Sequence, residues 1–128
     1  MQRFVLVLML ALAFCTGCAK KGPKFFPVSG TVTLDGQPLP EGTIHFKSTA
    51  TGGLPESLPV KDGKFAGKAV EGACRVEVTA YRQIPIAGEM GGSVQEPLIA
   101  SRFNSLSTLT AEVKAAGPNA FDFKVESK

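Results

Sequence analysis

The sequence predicts an all-β fold, a single antiparallel β-sandwich over residues 28–127 that follows an N-terminal export signal. Three observations carry the prediction. Apolar residues beyond Pro27 recur with period two, clusters of Gly, Pro, Asp and Asn interrupt them at short intervals, and no stretch of this region shows a helical period bounded by caps. The length of 128 residues suits one domain and argues against a multidomain enzyme. With 14 basic and 11 acidic side chains, the net charge of +3 is too small and too scattered for a nucleic-acid partner. A hydrophobic content of 44% excludes a disordered chain.

Arg3 precedes the unbroken apolar run Phe4 to Phe14, FVLVLMLALAF. As a helix this run reaches roughly 16 Å, about half of the ~30 Å hydrocarbon core that a spanning helix must cross. Residues 1–17 therefore read as a cleaved signal peptide. The next residues, Cys15-Thr16-Gly17-Cys18, resemble the lipobox of bacterial lipoproteins, with Cys15 in the place usual for Leu, Val or Ile. That resemblance implies acylation of Cys18, by palmitate among other chains, and anchorage to a lipid bilayer. Cys18 is the expected site because it follows the small Gly17, whereas Cys15 follows Phe14. The alternatives are a plain secretory signal or an uncleaved anchor. Two or three acyl chains hold a protein far more stably than one. Loss of Cys15 and acylation of Cys18 would leave Cys74 as the single free thiol, placed in phase with Val76 and Val78 and expected as a small buried hydrophobe.

Residues 18–27 form the expected tether. Lys20, Lys21 and Lys24, with Gly22 and Pro23, suit either a soluble spacer or contact with anionic headgroups. Ala19, where inner-membrane sorting in some groups uses Asp, implies an outer-membrane destination in the cell envelope, facing the periplasm or the exterior.

Val28, Gly30, Val32 and Leu34 then share one face of a first strand, and Asp35-Gly36-Gln37-Pro38 ends it as a turn. Ile44 and Phe46 alternate with His45 and Lys47 in a second strand, which makes His45 a solvent-facing residue. Asp62-Gly63 is a hairpin signal between Val60 and Phe65. Cys74, Val76, Val78 and Ala80 alternate with Arg75, Glu77, Thr79 and Tyr81. Leu109, Ala111 and Val113 follow, and beyond the Gly117-Pro118-Asn119 turn come Phe121, Phe123 and Val125.

The segment PVSGTVTLDGQPLPEGTIHF, Pro27 to Phe46, resembles the opening of carboxypeptidase regulatory-like and transthyretin-like domains. The segment IASRFNSLSTLTAEVKAAGPNAFDFKV, Ile99 to Val125, is similar to the ending of small planctomycete-type lipoproteins that join a lipobox to one such domain. The resemblance implies a transthyretin-like or immunoglobulin-like sandwich without a known activity, since a shared fold does not transfer function.

Chemistry-bearing motifs are sparse. His45 is the only histidine, so a Ser-His-Asp site would have to join it to a serine and one of Asp35, Asp62 or Asp122, with no nucleophile elbow to support it. One His and one free Cys do not make a zinc site, and no Gly-rich phosphate loop is present. The C-terminal DFKVESK lacks the Tyr-Arg-Gly-Ser that transthyretin-like hydroxyisourate hydrolases carry. Asp35, Glu41 and Asp62 follow no calcium-loop spacing and read as solvated turn residues. The expectation is a non-enzymatic protein with no catalytic residue, no metal and no cofactor; a small hydrolase-like enzyme or a glycan-binding module is the rival. Arg82 to Arg102, RQIPIAGEMGGSVQEPLIASR, reads as one long loop in which Ile84, Ile86 and Met90 are exposed and suited to a protein or glycan partner, against a mobile connection whose length is merely tolerated. Asn104 and Ser105 read as residues that bind turn backbone.

Overall fold

A computed structural model describes residues 22–50, 52–116 and 118–127. Among them are ten strands and no α-helix: β1 (Phe25–Leu34), β2 (Gln37–Pro38), β3 (Glu41–Ser48), β4 (Glu56–Lys61), β5 (Lys64–Val70), β6 (Gly72–Thr79), β7 (Tyr81–Pro85), β8 (Ser93–Pro97), β9 (Thr110–Val113) and β10 (Ala120–Val125). A single 3-10 turn spans Ser101–Phe103. Residues 1–17 and Cys18 lie outside the described residues.

The larger sheet runs β10-β1-β5-β4-β3-β6-β9, with β2 paired to β1. β4 and β5 share only the pair Lys61↔Lys64, so the sheet folds over there into the leaves β10-β1-β5 and β4-β3-β6-β9. Asp62 and Gly63 form the turn with φ of +51° and +75°, the positive pair that a tight hairpin demands. Asp35 and Gly36, at +51° and +83°, do the same between β1 and β2. Each predicted alternation buries its apolar face: Val28 and Val32 of β1, Ile44 and Phe46 of β3, Cys74, Val76 and Val78 of β6, and Phe123 and Val125 of β10. Four phenylalanines clamp the leaves together. Phe46 lies 5.9 Å from Phe65 and 6.2 Å from Phe121 between ring centres, and Phe123 lies 6.3 Å from Phe65. Gly30 gives this cluster room, since a Cβ there would stand 1.8 Å from the carbonyl oxygen of Phe121.

Three features differ from the sequence expectation. β10 pairs with β1 in parallel, Ser29↔Ala120 through Leu34↔Val125, although an antiparallel sandwich was predicted. The cause is topological: β9 finishes at the end of the sandwich where β1 begins, so the chain crossing to the other leaf must run in the direction of β1. Asn119 secures that crossing, its Nδ2 donating to the carbonyls of Pro27 at 3.1 Å and Lys114 at 2.9 Å while Oδ1 accepts from Lys114 N at 2.9 Å. Second, β1 begins at Phe25, three residues inside the expected tether, with Phe25 opposite Val70 of β5. Third, the expected loop Arg82 to Arg102 is largely regular: β7 and β8 pair from Tyr81↔Pro97 to Pro85↔Ser93 as a separate two-stranded sheet.

Strand directions define two ends. One gathers the start of β1, the β3–β4 connection, the β5–β6 turn and the β9–β10 crossing; Glu71 N donates to Lys24 O and Thr49 N to Ala73 O there. The other gathers the β1–β2 and β4–β5 turns and the root of the β7–β8 hairpin, where Ser127 N donates to Asp35 Oδ1 at 3.1 Å.

Candidate functional site

The β7–β8 hairpin projects from the end opposite to the start of β1. Register places Arg82 across from Glu96 and Ile84 across from Val94, so these four side chains share one face. Arg82 and Glu96 form an ion pair near the root, and Ser93 Oγ donates to Gln83 Oε1 on the other face. The tip is glycine-rich, with Gly88, Gly91 and Gly92 all at positive φ. Ile86 N donates to Gly92 O at 3.0 Å and closes the hairpin beyond its last ladder pair.

Every residue of β7 is exposed, an arrangement in which neither face is packed against the sandwich. Met90 is 100% exposed, Ile86 and Val94 51%, and Ile84 37%. Five of the eight exposed large hydrophobic residues, these four and Tyr81, belong to this hairpin and its tip, so exposed apolar surface is concentrated on it. Ile84, Ile86 and Met90 were expected to be exposed and are, but they sit on an ordered hairpin. Val94 escaped sequence reasoning because its neighbours Ser93 and Gln95 are polar; its signal was the mirror relation of Ile84 and Val94, and of Arg82 and Glu96, about the Gly-rich centre. Beside the root lies a cavity of ≈ 440 Å³ lined by Thr79, Tyr81, Pro97, Ile99 and Asn104, among others. Asn104 turns away from chemistry: its Nδ2 donates to the carbonyls of Ile99 at 3.4 Å and Ala100 at 3.5 Å, while its Oδ1 accepts from Ser105 N at 2.6 Å.

His45 lies on the outer face of β3, as predicted, but is half-buried there because side chains of the neighbouring strands β4 and β6 flank it. Its Nδ1 lies 2.7 Å from Ser57 Oγ and its Nε2 3.1 Å from Thr79 Oγ1. Burial holds its pKa below 6.5, with Glu77 opposing and Lys47 reinforcing the shift. A serine and a histidine in contact are two members of an acyl-transfer site, but the ring's second partner is an alcohol that cannot stabilise an imidazolium as a carboxylate does. Glu77, opposite His45 in register, is ion-paired with Arg75.

Cys74 is buried in β6, with its Sγ directed at Val70 O at 3.6 Å, and burial pushes its thiol pKa up. Asp35 instead accepts from Ser127, and Asp122 accepts from Thr31 Oγ1 at 2.6 Å. Among the described residues no group of three or more His, Cys, Asp or Glu side chains is arranged to hold a metal ion, and no helix is long and apolar enough to cross a membrane.

The described chain is thus an all-β sandwich that carries an appended, solvent-exposed hairpin. Comparison with protein-family models, curated proteins and solved structures gave no match.

Proposed function

We propose that the chain is an acyl-anchored lipoprotein of a bacterial cell envelope, held at Cys18, whose β-sandwich is a non-enzymatic scaffold that presents the β7–β8 hairpin to a protein partner. The lipobox-like Cys15-Thr16-Gly17-Cys18 and the resemblance to transthyretin-like lipoproteins support the anchor. The observation that carries the reading is the separation of the two ends: the chain enters the sandwich at Phe25, and the hairpin leaves from the opposite end. An anchored protein so built holds the exposed apolar residues of the hairpin away from its own membrane. Ile84, Ile86, Met90 and Val94 are aliphatic, which suits a protein surface better than a hydroxyl-rich glycan, for which aromatic platforms serve best. Nucleic acid has no place in this reading.

Fatty-acid labelling of growing cells with wild type and Cys18→Ala, each also carrying a photo-crosslinker at position 86 or 68, tests both halves. Wild type takes up label and Cys18→Ala does not; position 86 yields a discrete cross-linked protein band and position 68 does not. Equal labelling of both chains, or no labelling of either, overturns the anchor. Identical cross-linking from the two positions overturns the role of the hairpin.

A further inference from the structure

We infer that the end of the sandwich where β1 begins is a docking surface for an anionic phospholipid bilayer. The inference rests on the anchored reading above and adds what the anchored domain does next. Seven residue steps separate Cys18 from Phe25, so an acyl group on Cys18 stays within about 25 Å of the first strand even with the chain fully extended. That end of the molecule therefore remains beside the membrane, and its surface is suited to it.

Charge is divided between the two ends. At the β1 end Lys24, Lys47, Lys68 and Lys114 stand against Glu56, Glu71 and Glu112, Lys20 and Lys21 precede them in the tether sequence, and Arg75, opposite Lys47, is neutralised by its ion pair with Glu77. At the hairpin end Lys61, Lys64, Lys124, Arg82 and Arg102 face seven carboxylates, Asp35, Glu41, Asp62, Glu89, Glu96, Asp122 and Glu126. The described residues of the first end are net positive by one, and by three with the two tether lysines, while the second end is net negative by two, so an anionic surface orients the domain with β1 inward and the hairpin outward. Two large apolar side chains are also exposed at the positive end: Leu54, 91% exposed in the β3–β4 connection, and Phe25, 44% exposed at the start of β1. Lysines flanking exposed Leu and Phe are the combination that binds a headgroup layer, the cations pairing with phosphates while the apolar groups reach the acyl boundary.

The chain contains no tryptophan, so a single indole reports its own surroundings. The acylated full chain carrying Leu54→Trp or, at the opposite end, Met90→Trp is reconstituted into vesicles of phosphatidylglycerol and phosphatidylcholine with brominated acyl chains. Both positions are solvent-exposed, and circular dichroism checks that each variant is folded. The Leu54→Trp emission is expected to shift to the blue and lose most of its intensity, while that of Met90→Trp is unchanged. Adding Lys24→Glu, Lys68→Glu and Lys114→Glu, or omitting phosphatidylglycerol, should restore the Leu54→Trp emission. An acylated chain that floats with the vesicles but keeps the full Leu54→Trp emission refutes the docking surface and leaves the anchor standing. Equal quenching at both positions refutes the orientation. A chain that carries no acyl group and fails to float refutes the anchor and the docking surface together.

Discussion

Gly30→Ala should unfold much of this domain's stability, and the reason lies in a backbone atom. A Cβ at position 30 would stand 1.8 Å from Phe121 O, 2.8 Å from Phe121 C and 2.9 Å from the ring of Phe65. Relief demands that β10 move away from β1 by more than an ångström, because a main-chain carbonyl in a paired strand has no rotamer to adopt. Such a movement opens the parallel ladder from Ser29↔Ala120 to Leu34↔Val125 and uncovers Phe123 and Val125. Each of those side chains contributes about 1.5 to 3 kcal/mol when buried, so the loss is about 3 kcal/mol or more. A small domain has about 5 to 15 kcal/mol in all. Gly67→Ala is the matched comparison, since a Cβ there meets Leu58 Cδ2 at 2.3 Å, the end of a side chain that can turn aside. Its cost, on the order of 1 kcal/mol for a displaced rotamer, is offset in part by the lower backbone entropy of alanine in a strand. Urea unfolding followed by far-ultraviolet circular dichroism, read at constant slope, compares the three proteins. The expected order is wild type, then Gly67→Ala close behind, then Gly30→Ala with an unfolding free energy lower by about 3 kcal/mol or more. A Gly30→Ala protein within about 0.5 kcal/mol of wild type, or no weaker than Gly67→Ala, would refute the close approach of β1 and β10.

Two further outcomes follow from the buried titratable groups. Because the fold lowers the pKa of His45 below 6.5, the unfolded chain binds more protons between the two values, so stability should fall as the pH drops through 6.5 and level off below the folded pKa. Urea midpoints from neutral pH to about pH 5 should therefore slope less in His45→Gln than in wild type, and parallel slopes would show that burial of the ring has no energetic weight. Cys74 should react with a thiol reagent at one equivalent per acylated chain after unfolding and far more slowly in the native state, since it is buried and its thiol is held protonated. Rapid native reaction would place it at the surface.

The strands that sequence reasoning located are those with one buried and one exposed face. In β6, Cys74, Val76 and Val78 enter the core while Arg75, Glu77 and Thr79 do not, and period two states this directly. β7 and β8 have no buried face, so Arg82 to Pro85 and Ser93 to Pro97 carry no such signal and read as loop. The partner of β10 was illegible for another reason: parallel pairing with β1 joins residues about 90 apart and depends on the end at which β9 stops. For His45, alternation gave the correct face of β3 but not its cover, since Ser57 and Thr79 arrive from two other strands through register.

The same limit applies to charge, with more consequence for function. Without Arg3 the side chains of residues 18–128 number 13 basic and 11 acidic, a balance of +2 that excludes nothing and suggests nothing. Its meaning emerges only when topology sorts Lys24, Lys68 and Lys114 to one end and Asp35, Asp62, Glu96 and Glu126 to the other. No window of the sequence contains that division, because each end is built from segments that alternate along the chain: β1 starts at one end, Asp35 lies at the other, Lys47 returns to the first and Asp62 to the second. A strand of six to ten residues carries the chain from end to end, so a lysine near a strand start and a carboxylate in the following turn are separated by the length of the domain. A modest net charge in a β domain of this topology thus leaves room for a separation of charge between its two ends. Under the anchoring proposed above, that separation would turn the β1 end to the membrane and hold the hairpin out to a partner.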